Sequence, residues 1–141
     1  MCYILINFKM NKSNSQYSNI RNQNKNEILE DYVEAIQEIL EIKGDVKNAD
    51  LAIHFGVSQA TVNKNLKRLI ASKLATSEPY RSIFLTDEGR KLAAISKEKH
   101  NIVYQFLIKL GVSKKIAQYD SDGIEHHVSD ETLKLMKNFS K

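Results

Sequence analysis

Apolar residues recur every three or four positions along much of the chain, which is the pattern of amphipathic helices. The first such stretch begins at Asn26 or Glu27 and runs to about Lys43, where Gly44 predicts the end of the helix. Its opposite face is rich in acidic residues. The apolar stripe consists of Ile28, Tyr32, Ala35, Ile36 and Ile39.

Residues 1–26 lack this pattern. From about Asn11 to Asn26 the chain is dominated by Asn, Ser, Lys and Gln. Such a segment cannot bury enough apolar surface to offset the entropy lost on ordering, so we predict a disordered polar tail over residues 1–26. The start of the chain lacks the features of a signal peptide, and no stretch is long and apolar enough to span a membrane.

Residues 48–70 combine two short helical patterns with a turn between them. Asn48 is predicted to cap the first helix, Gly56 to supply a left-handed turn, and Ser58 to cap the second helix. This order predicts a helix-turn-helix whose second helix enters the major groove of DNA. The candidate contacts to bases or phosphates are Ser58, Gln59, Thr61, Asn63, Lys64, Lys67 and Arg68.

Two short runs of strand-forming residues follow, at Leu74–Glu78 and Ser82–Thr86. They predict a β-hairpin, which is the wing of a winged helix-turn-helix. Its tip carries Arg81, which either contacts a phosphate or the minor groove of DNA or is simply solvated.

The rest of the sequence predicts helices. Thr86 caps a long helix, and Ser113 and Ser129 cap two shorter ones. The apolar residues between Ile102 and Phe139 exceed what these helices need for packing together, which indicates a two-fold dimer interface. The predicted fold is therefore mainly α, with a winged helix-turn-helix DNA-binding domain over residues 27–92. An α-helical domain over residues 93–141 follows, to which we assign dimerisation and, below, metal binding.

Charge and cysteine content narrow the range of functions. The formal net charge is +4, and residues 43–91 hold nine basic residues against five acidic ones, which favours a polyanionic partner. Cys2 is the only cysteine, so a disulfide within the chain and a thiolate metal cluster are both excluded. A reducing cytoplasm fits this composition.

The candidate chemistry lies near the C-terminus. Asp122, Glu125 and His126 fall within an arc of about 100° on one face of a helix. Carboxylates and imidazole without thiolate suit Mn(II), Fe(II) or Zn(II), and further ligands are needed to complete six positions. Taken alone, however, the cluster is more simply explained as a solvated surface. The same simple explanation applies to Asp31, Glu34 and His100.

Several blocks of sequence occur together in a characteristic order. They are Glu30-Asp31-Tyr32-Val33-Glu34, the helix-turn-helix ending Thr61-Val-Asn-Lys64, Pro79-Tyr80-Arg81, Leu85-Thr86-Asp-Glu-Gly89, and Gly123-Ile-Glu125-His126-His127. Over residues 27–139 the chain thus closely resembles the manganese transport regulator branch of the DtxR family of metal-dependent repressors.

This resemblance implies a ligand set for manganese. In the iron-responsive branch, sulfur-bearing Met and Cys stand at the positions of Asp31 and Asp122, so carboxylates at both positions favour the harder Mn(II). One or two ions per subunit are implied. By this resemblance the ligands are Asp31, Glu34, His100, Asp122, Glu125 and His126.

The chain departs from the branch at two positions. Asp122 stands where Glu is usual, so its side chain is one methylene shorter. Either it binds through water or the second metal position is weaker, and direct binding by Asp122 stays open. Ser82 replaces the glycine that commonly follows Tyr-Arg in the wing, which brings a positive-φ turn there into question. From the length of the chain we also expect no counterpart of the SH3-like domain that some relatives carry.

The expected function is that of a cytoplasmic, Mn(II)-dependent transcriptional regulator, most simply a repressor of manganese uptake genes. It would bind operator DNA as a homodimer, without a membrane or small-molecule substrate and without enzymatic activity. One alternative is an Fe(II)- or Zn(II)-responsive repressor of the same family. Others are a metal-independent winged-helix protein and a metallohydrolase, although no recognisable nucleophile or substrate pocket supports the last.

Overall fold

A computed structural model describes residues 14–77 and 82–141 of the chain. The two strands pair in an antiparallel hairpin, and all other regular elements in these residues are helices. In chain order the elements are α1 (Asn14–Lys43), α2 (Asn48–Phe55), α3 (Gln59–Ala71), β1 (Ala75–Ser77), β2 (Ile83–Leu85), α4 (Asp87–Leu110), α5 (Lys114–Ile124) and α6 (Asp130–Phe139). The predicted mainly α fold, with a winged helix-turn-helix before a helical domain, is confirmed.

The first core of the molecule lies between α1, α2, α3 and the hairpin. Its apolar side chains come from the predicted stripes of these helices and from alternate hairpin positions. The hairpin is joined to the α1–α2 connection, because the Ile83 N–H donates a hydrogen bond of 2.7 Å to the Val46 carbonyl oxygen. Side chains with no exposure in this core are Val33, Ile36, Val46, Leu51, Val62, Leu69 and Ile83.

Helix α4 connects the DNA-binding half to the rest of the chain. It packs against α1 and β2 on one side and against α5 and α6 further along. Val103, Ala117 and Leu133, from α4, α5 and α6 respectively, are buried where these helices meet. Because α4 contacts both α1 and α5, side chains from the two halves of the protein can meet beside it.

Helix α1 begins earlier than predicted. Residues 14–26, expected to be disordered, are helical, although residues 21–26 are exposed. A helix nucleated by packed residues 27–43 extends at little cost, because each further residue adds a backbone hydrogen bond without a new nucleation step. The rest of the predicted tail, residues 1–13, lies outside the described residues. The domain boundaries near residues 26 and 92 remain predictions.

Most predicted helix ends are confirmed. Ser58 caps α3, since its Oγ accepts a hydrogen bond of 3.2 Å from the Thr61 N–H, and Gly56 has a left-handed φ of 64°. Asn48 was expected to cap α2, but it is the first helical residue instead. The residue before it, Lys47, donates its N–H to the Asp50 carboxylate at 2.8 Å, and this bond stabilises the start of the helix.

The described helices include none that is both long and apolar enough to cross a membrane.

Gly89 is required where α4 starts against β1. A Cβ atom on this residue would lie 1.9 Å from the Leu74 carbonyl oxygen, so the backbone would have to move. We expect Gly89→Ala to lower the free energy of unfolding by roughly 3 kcal/mol, measured by urea denaturation without metal. At Gly123 nothing lies within 4 Å of such an atom, so Gly123→Ala in α5 is the matched control and should not destabilise the fold. Equal urea midpoints for the two variants would contradict this expectation.

Candidate functional site

Three helices bring most of the predicted ligands to one side of α4. Asp31 and Glu34 lie one turn apart on α1, and His100 lies in the middle of α4. Asp122 lies in the last turn of α5. The site therefore joins the DNA-binding half of the chain to the helical half.

The sequence predicted Asp122, Glu125 and His126 on one helix, but the structure places only Asp122 within α5. Helix α5 ends at Ile124, and residues 125–127 form a turn in which the His127 N–H donates a 3.0 Å bond to the Ile124 carbonyl oxygen. Such a tighter turn is common at helix ends. It directs His126 towards α1, as the contacts of its imidazole with α1 carboxylates show.

The imidazole of His100 faces carboxylates on one side and neutral groups on the other. Its Nδ1 lies 2.8 Å from Glu125 Oε2 and 3.1 Å from Asp122 Oδ1. Its Nε2 lies 3.0 Å from Gln118 Nε2 and 3.4 Å from Ser121 Oγ. The contact with Glu125 raises the pKa of His100, because a neighbouring negative charge outweighs the effect of burial.

The imidazole of His126 is almost fully buried, with 2% of the side chain exposed. Its Nε2 lies 2.9 Å from Asp31 Oδ1 and 3.4 Å from Glu125 Oε1. Its Nδ1 lies 2.9 Å from Glu30 Oε2. Burial alone would lower the pKa of His126, but the carboxylates of Asp31 and Glu30 outweigh burial and raise this pKa to about 10.

Glu125 lies between the two imidazoles and presents one oxygen to each. It is 3% exposed, and its Oε2 has no hydrogen-bond partner within the described part of the chain, although His100 Nδ1 is 2.8 Å away. A buried carboxylate oxygen without a hydrogen bond is costly unless a cation or proton satisfies it. Together with two imidazoles and further carboxylates, this oxygen fits a hard or borderline divalent cation.

Glu34 lines the cavity beside this cluster. The cavity has a volume of about 440 Å³, and His100 and Asp122 lie in the same wall. Burial and the nearby charge of Glu125 raise the pKa of Glu34 to about 7. The carboxylates of the site outnumber its two imidazoles, and this excess of negative charge again favours the binding of a cation.

Two acidic residues near the cluster were not among the predicted ligands. Glu27, Asp31 and His126 each offer a ligand atom within 4.8 Å of the others, and Glu27 Oε2 also lies 3.4 Å from His127 Nε2. The spacing of four residues between Glu27 and Asp31 was a usable signal, since both lie on one helix face. The position of Glu30 against His126 depends on how α1 packs on the turn after α5, which no local pattern reveals.

Helix α3 exposes most of the predicted DNA contacts. Gln59, Thr61, Lys64 and Lys67 are exposed, whereas Arg68 is half-buried. The predicted contacts Ser58 and Asn63 are also exposed, but they have partners within the chain: the Ser58 hydroxyl caps the helix, and the Asn63 amide oxygen accepts a hydrogen bond from Asn48. Arg81 lies outside the described residues.

A winged helix-turn-helix with an exposed basic helix, joined through α4 to a partly buried cluster of carboxylates and imidazoles, defines a DNA-binding protein of the metal-responsive class. Two family descriptions match the chain. Residues 26–83 match "Iron dependent repressor, N-terminal DNA binding domain", and residues 86–141 match "Iron dependent repressor, metal binding and dimerisation domain".

Named relatives narrow this class. The transcriptional regulator MntR of Escherichia coli O6:H1 is 45% identical over 125 residues, which are 89% of this chain and 81% of the relative. The HTH-type transcriptional regulator MntR of Geobacillus kaustophilus is 36% identical over 101 residues, 72% of each protein. The chain therefore belongs to the DtxR family of metal-dependent repressors, in its MntR branch.

Solved structures agree with this assignment. The manganese regulator SloR has a TM-score of 0.69 and 27% identity, and a manganese-dependent transcriptional repressor in complex with manganese has a TM-score of 0.72 and 25% identity. Both likenesses cover 79% of this chain. The chain spans about half the length of each, 52%.

Proposed function

We propose that the protein is a manganese(II)-dependent repressor of manganese uptake genes, active in the cytoplasm as a homodimer on operator DNA. The observation that carries this proposal is the meeting of α1, α4 and the end of α5 at Glu125, whose two oxygens face His100 and His126. A cation there connects the DNA-binding half to the helical half. The MntR relatives support manganese as the ion and transcription as the process.

The proposed ligands form two groups that share Glu125. One group contains His100 and Asp122 with Glu125 Oε2, and the other contains His126 and Asp31 with Glu125 Oε1. This division supports two manganese ions per subunit, with Glu34 completing the site from the cavity wall. Asp122 is the most exposed member, with 64% of its side chain accessible, so we assign it the outermost position.

The donor set suits manganese(II) because its members are carboxylate oxygens and imidazole nitrogens. Bound metal supplies positive charge that neutralises these carboxylates. Glu34 and Glu125 repel each other, so this neutralisation favours the arrangement in which α1 is held against α4 and the turn after α5. A dimer ordered in this way loses less entropy when both copies of α3 dock, so metal binding and DNA binding are coupled reciprocally.

The DNA-contacting surface is assigned to α3 and the wing. Lys64 and Lys67 are exposed and suited to phosphates, while Gln59 and Thr61 near the helix start are placed to reach base edges. We assign Ser58 and Asn63 both to support of the helix and to contact with DNA. Arg68 and Arg81 are assigned to contact with DNA. Exposed apolar residues of the helical half support a homodimer, and they include Leu110, Ile116, Tyr119, Leu135 and Phe139.

The test is fluorescence anisotropy of a labelled duplex from upstream of a manganese transporter gene, titrated with protein. Affinity should rise about 5–150-fold when chelator is replaced by manganese(II), since coupling free energies are typically 1–3 kcal/mol. Iron(II) and zinc(II) are compared at matched free concentrations, because the Irving–Williams order favours these later metals in raw affinity.

A double variant, Lys64→Ala with Lys67→Ala, is the matched control for this titration. It should bind manganese as the unmodified protein does, but bind DNA weakly with a shallower dependence on salt. Equal DNA affinity with chelator and with manganese would refute the metal-dependent mechanism. A response to iron or zinc alone would assign the protein to the alternative sensor class.

A further inference from the structure

The carboxylate of Glu30 lies directly behind the imidazole of His126. Glu30 Oε2 is 2.9 Å from His126 Nδ1, on the side of the ring opposite to the cluster. The other ring nitrogen, Nε2, is 2.9 Å from Asp31 Oδ1 and 3.4 Å from Glu125 Oε1. Glu30 therefore contacts a proposed ligand without belonging to the proposed ligand set.

Glu30 is itself fixed in place. Lys99 Nζ lies 3.8 Å from Glu30 Oε1, and 15% of the Glu30 side chain is exposed. Glu30 on α1 thus links Lys99 on α4 to the turn after α5, so three segments of the chain determine the orientation of one ring.

His100 is supported differently. The ring nitrogen of His100 that faces away from the carboxylates lies beside the Gln118 amide and the Ser121 hydroxyl, which are neutral groups. His126 has a partly buried carboxylate, that of Glu30, at the equivalent place. In metal sites, a carboxylate that accepts the second N–H of a histidine orients the ring and increases the basicity of the coordinating nitrogen.

We propose that Glu30 is a positioning residue of the metal centre, which accepts the Nδ1–H of His126 and thereby makes Nε2 the atom that binds the ion. This inference rests on the proposed function. Without Glu30, the ring is free to rotate or to change tautomer, and the ligand group of His126, Asp31 and Glu125 is no longer ordered in advance.

The test compares Glu30→Ala and Glu30→Gln with the unmodified protein. Manganese(II) affinity is measured by quantifying the free ion from its electron paramagnetic resonance signal. We expect Glu30→Ala to weaken binding about 10–100-fold, the usual effect of losing such a partner. Glu30→Gln keeps the volume and an oxygen that can accept the Nδ1–H, so its loss should be smaller but measurable.

A second readout follows the ring itself. In protein loaded with zinc(II), the Nδ1–H of His126 should give a slowly exchanging signal in ¹H–¹⁵N spectra, and this signal should disappear in Glu30→Ala. The control is Glu98→Ala, which removes the same charge. Glu98 precedes Lys99 in the sequence, is 61% exposed and pairs with Lys137. Glu98→Ala should change neither readout.

The outcomes separate this inference from the proposed function. If the unmodified protein binds manganese(II) and both Glu30 variants bind it equally well, Glu30 does not position His126 and only this inference fails. Equal losses in Glu98→Ala and Glu30→Ala would also overturn it, because a general charge effect would then explain the result. If the unmodified protein binds no manganese(II), both the inference and the proposed function fail.

Discussion

Glu125→Ala should abolish the effect of manganese(II) on DNA binding. Glu125 faces both imidazoles, with Oε2 at 2.8 Å from His100 Nδ1 and Oε1 at 3.4 Å from His126 Nε2. Removing it takes a charged ligand from both proposed ion positions at once. Loss of a group that only hydrogen-bonds to a metal ligand weakens metal binding about 10–100-fold. We therefore expect the manganese(II) affinity of Glu125→Ala to fall by at least about 100-fold.

The measurement is the same anisotropy titration, with manganese(II) and with chelator. Glu125→Ala should show the weak affinity of the metal-free protein under both conditions, because the DNA-contacting residues of α3 are unchanged. The control is Glu131→Ala, which removes an exposed carboxylate from the first turn of α6, and it should respond to manganese normally. Retention of a full manganese response in Glu125→Ala would refute the shared-ligand arrangement.

Sequence patterns predicted the DNA-binding half well, since its signals are local. Ser58 and Thr86 each accept a backbone N–H at the start of a helix, as their positions before apolar-periodic segments had indicated. Gly56 takes the left-handed conformation that ends α2. The alternation of buried Ile83 and Leu85 with exposed Phe84 likewise matches the predicted wing.

The metal centre was harder to predict from the sequence, because its geometry depends on packing between distant segments. Local patterns favoured solvation for Asp31 and Glu34, and the family resemblance was needed to select them from an acidic helix face. Glu30 differs from its neighbour Asp31 in contacting Nδ1 of His126, whereas Asp31 contacts Nε2. That relation depends on how α1, α4 and α5 pack together, and helical periodicity along α1 contains no information about it.

Glu34 should destabilise the metal-free fold above neutral pH. Its pKa rises from an ordinary value of 4.5 to about 7 in the folded protein, through burial and the charge of Glu125. The folded state therefore binds more protons than the unfolded state between these values, so stability falls as pH rises from about 4.5 to about 7. Glu34→Gln removes this effect and should stabilise the metal-free protein at pH 8 by roughly 2 kcal/mol, after allowance for solvent screening.

Manganese(II) should reverse the order of stability at pH 8. The unmodified protein gains stability from binding in proportion to the logarithm of metal concentration over dissociation constant, whereas Glu34→Gln lacks a charged ligand and gains less. Thermal unfolding at pH 8 with chelator should thus rank the variant higher, and unfolding with excess manganese should rank it lower. Near pH 4 without metal the two should be similar, since the carboxyl is then protonated in both states. Glu38→Gln, an exposed position on the same helix, is the control and should show no reversal. If Glu34→Gln is less stable than the unmodified protein with chelator at pH 8, electrostatic repulsion does not strain the metal-free site.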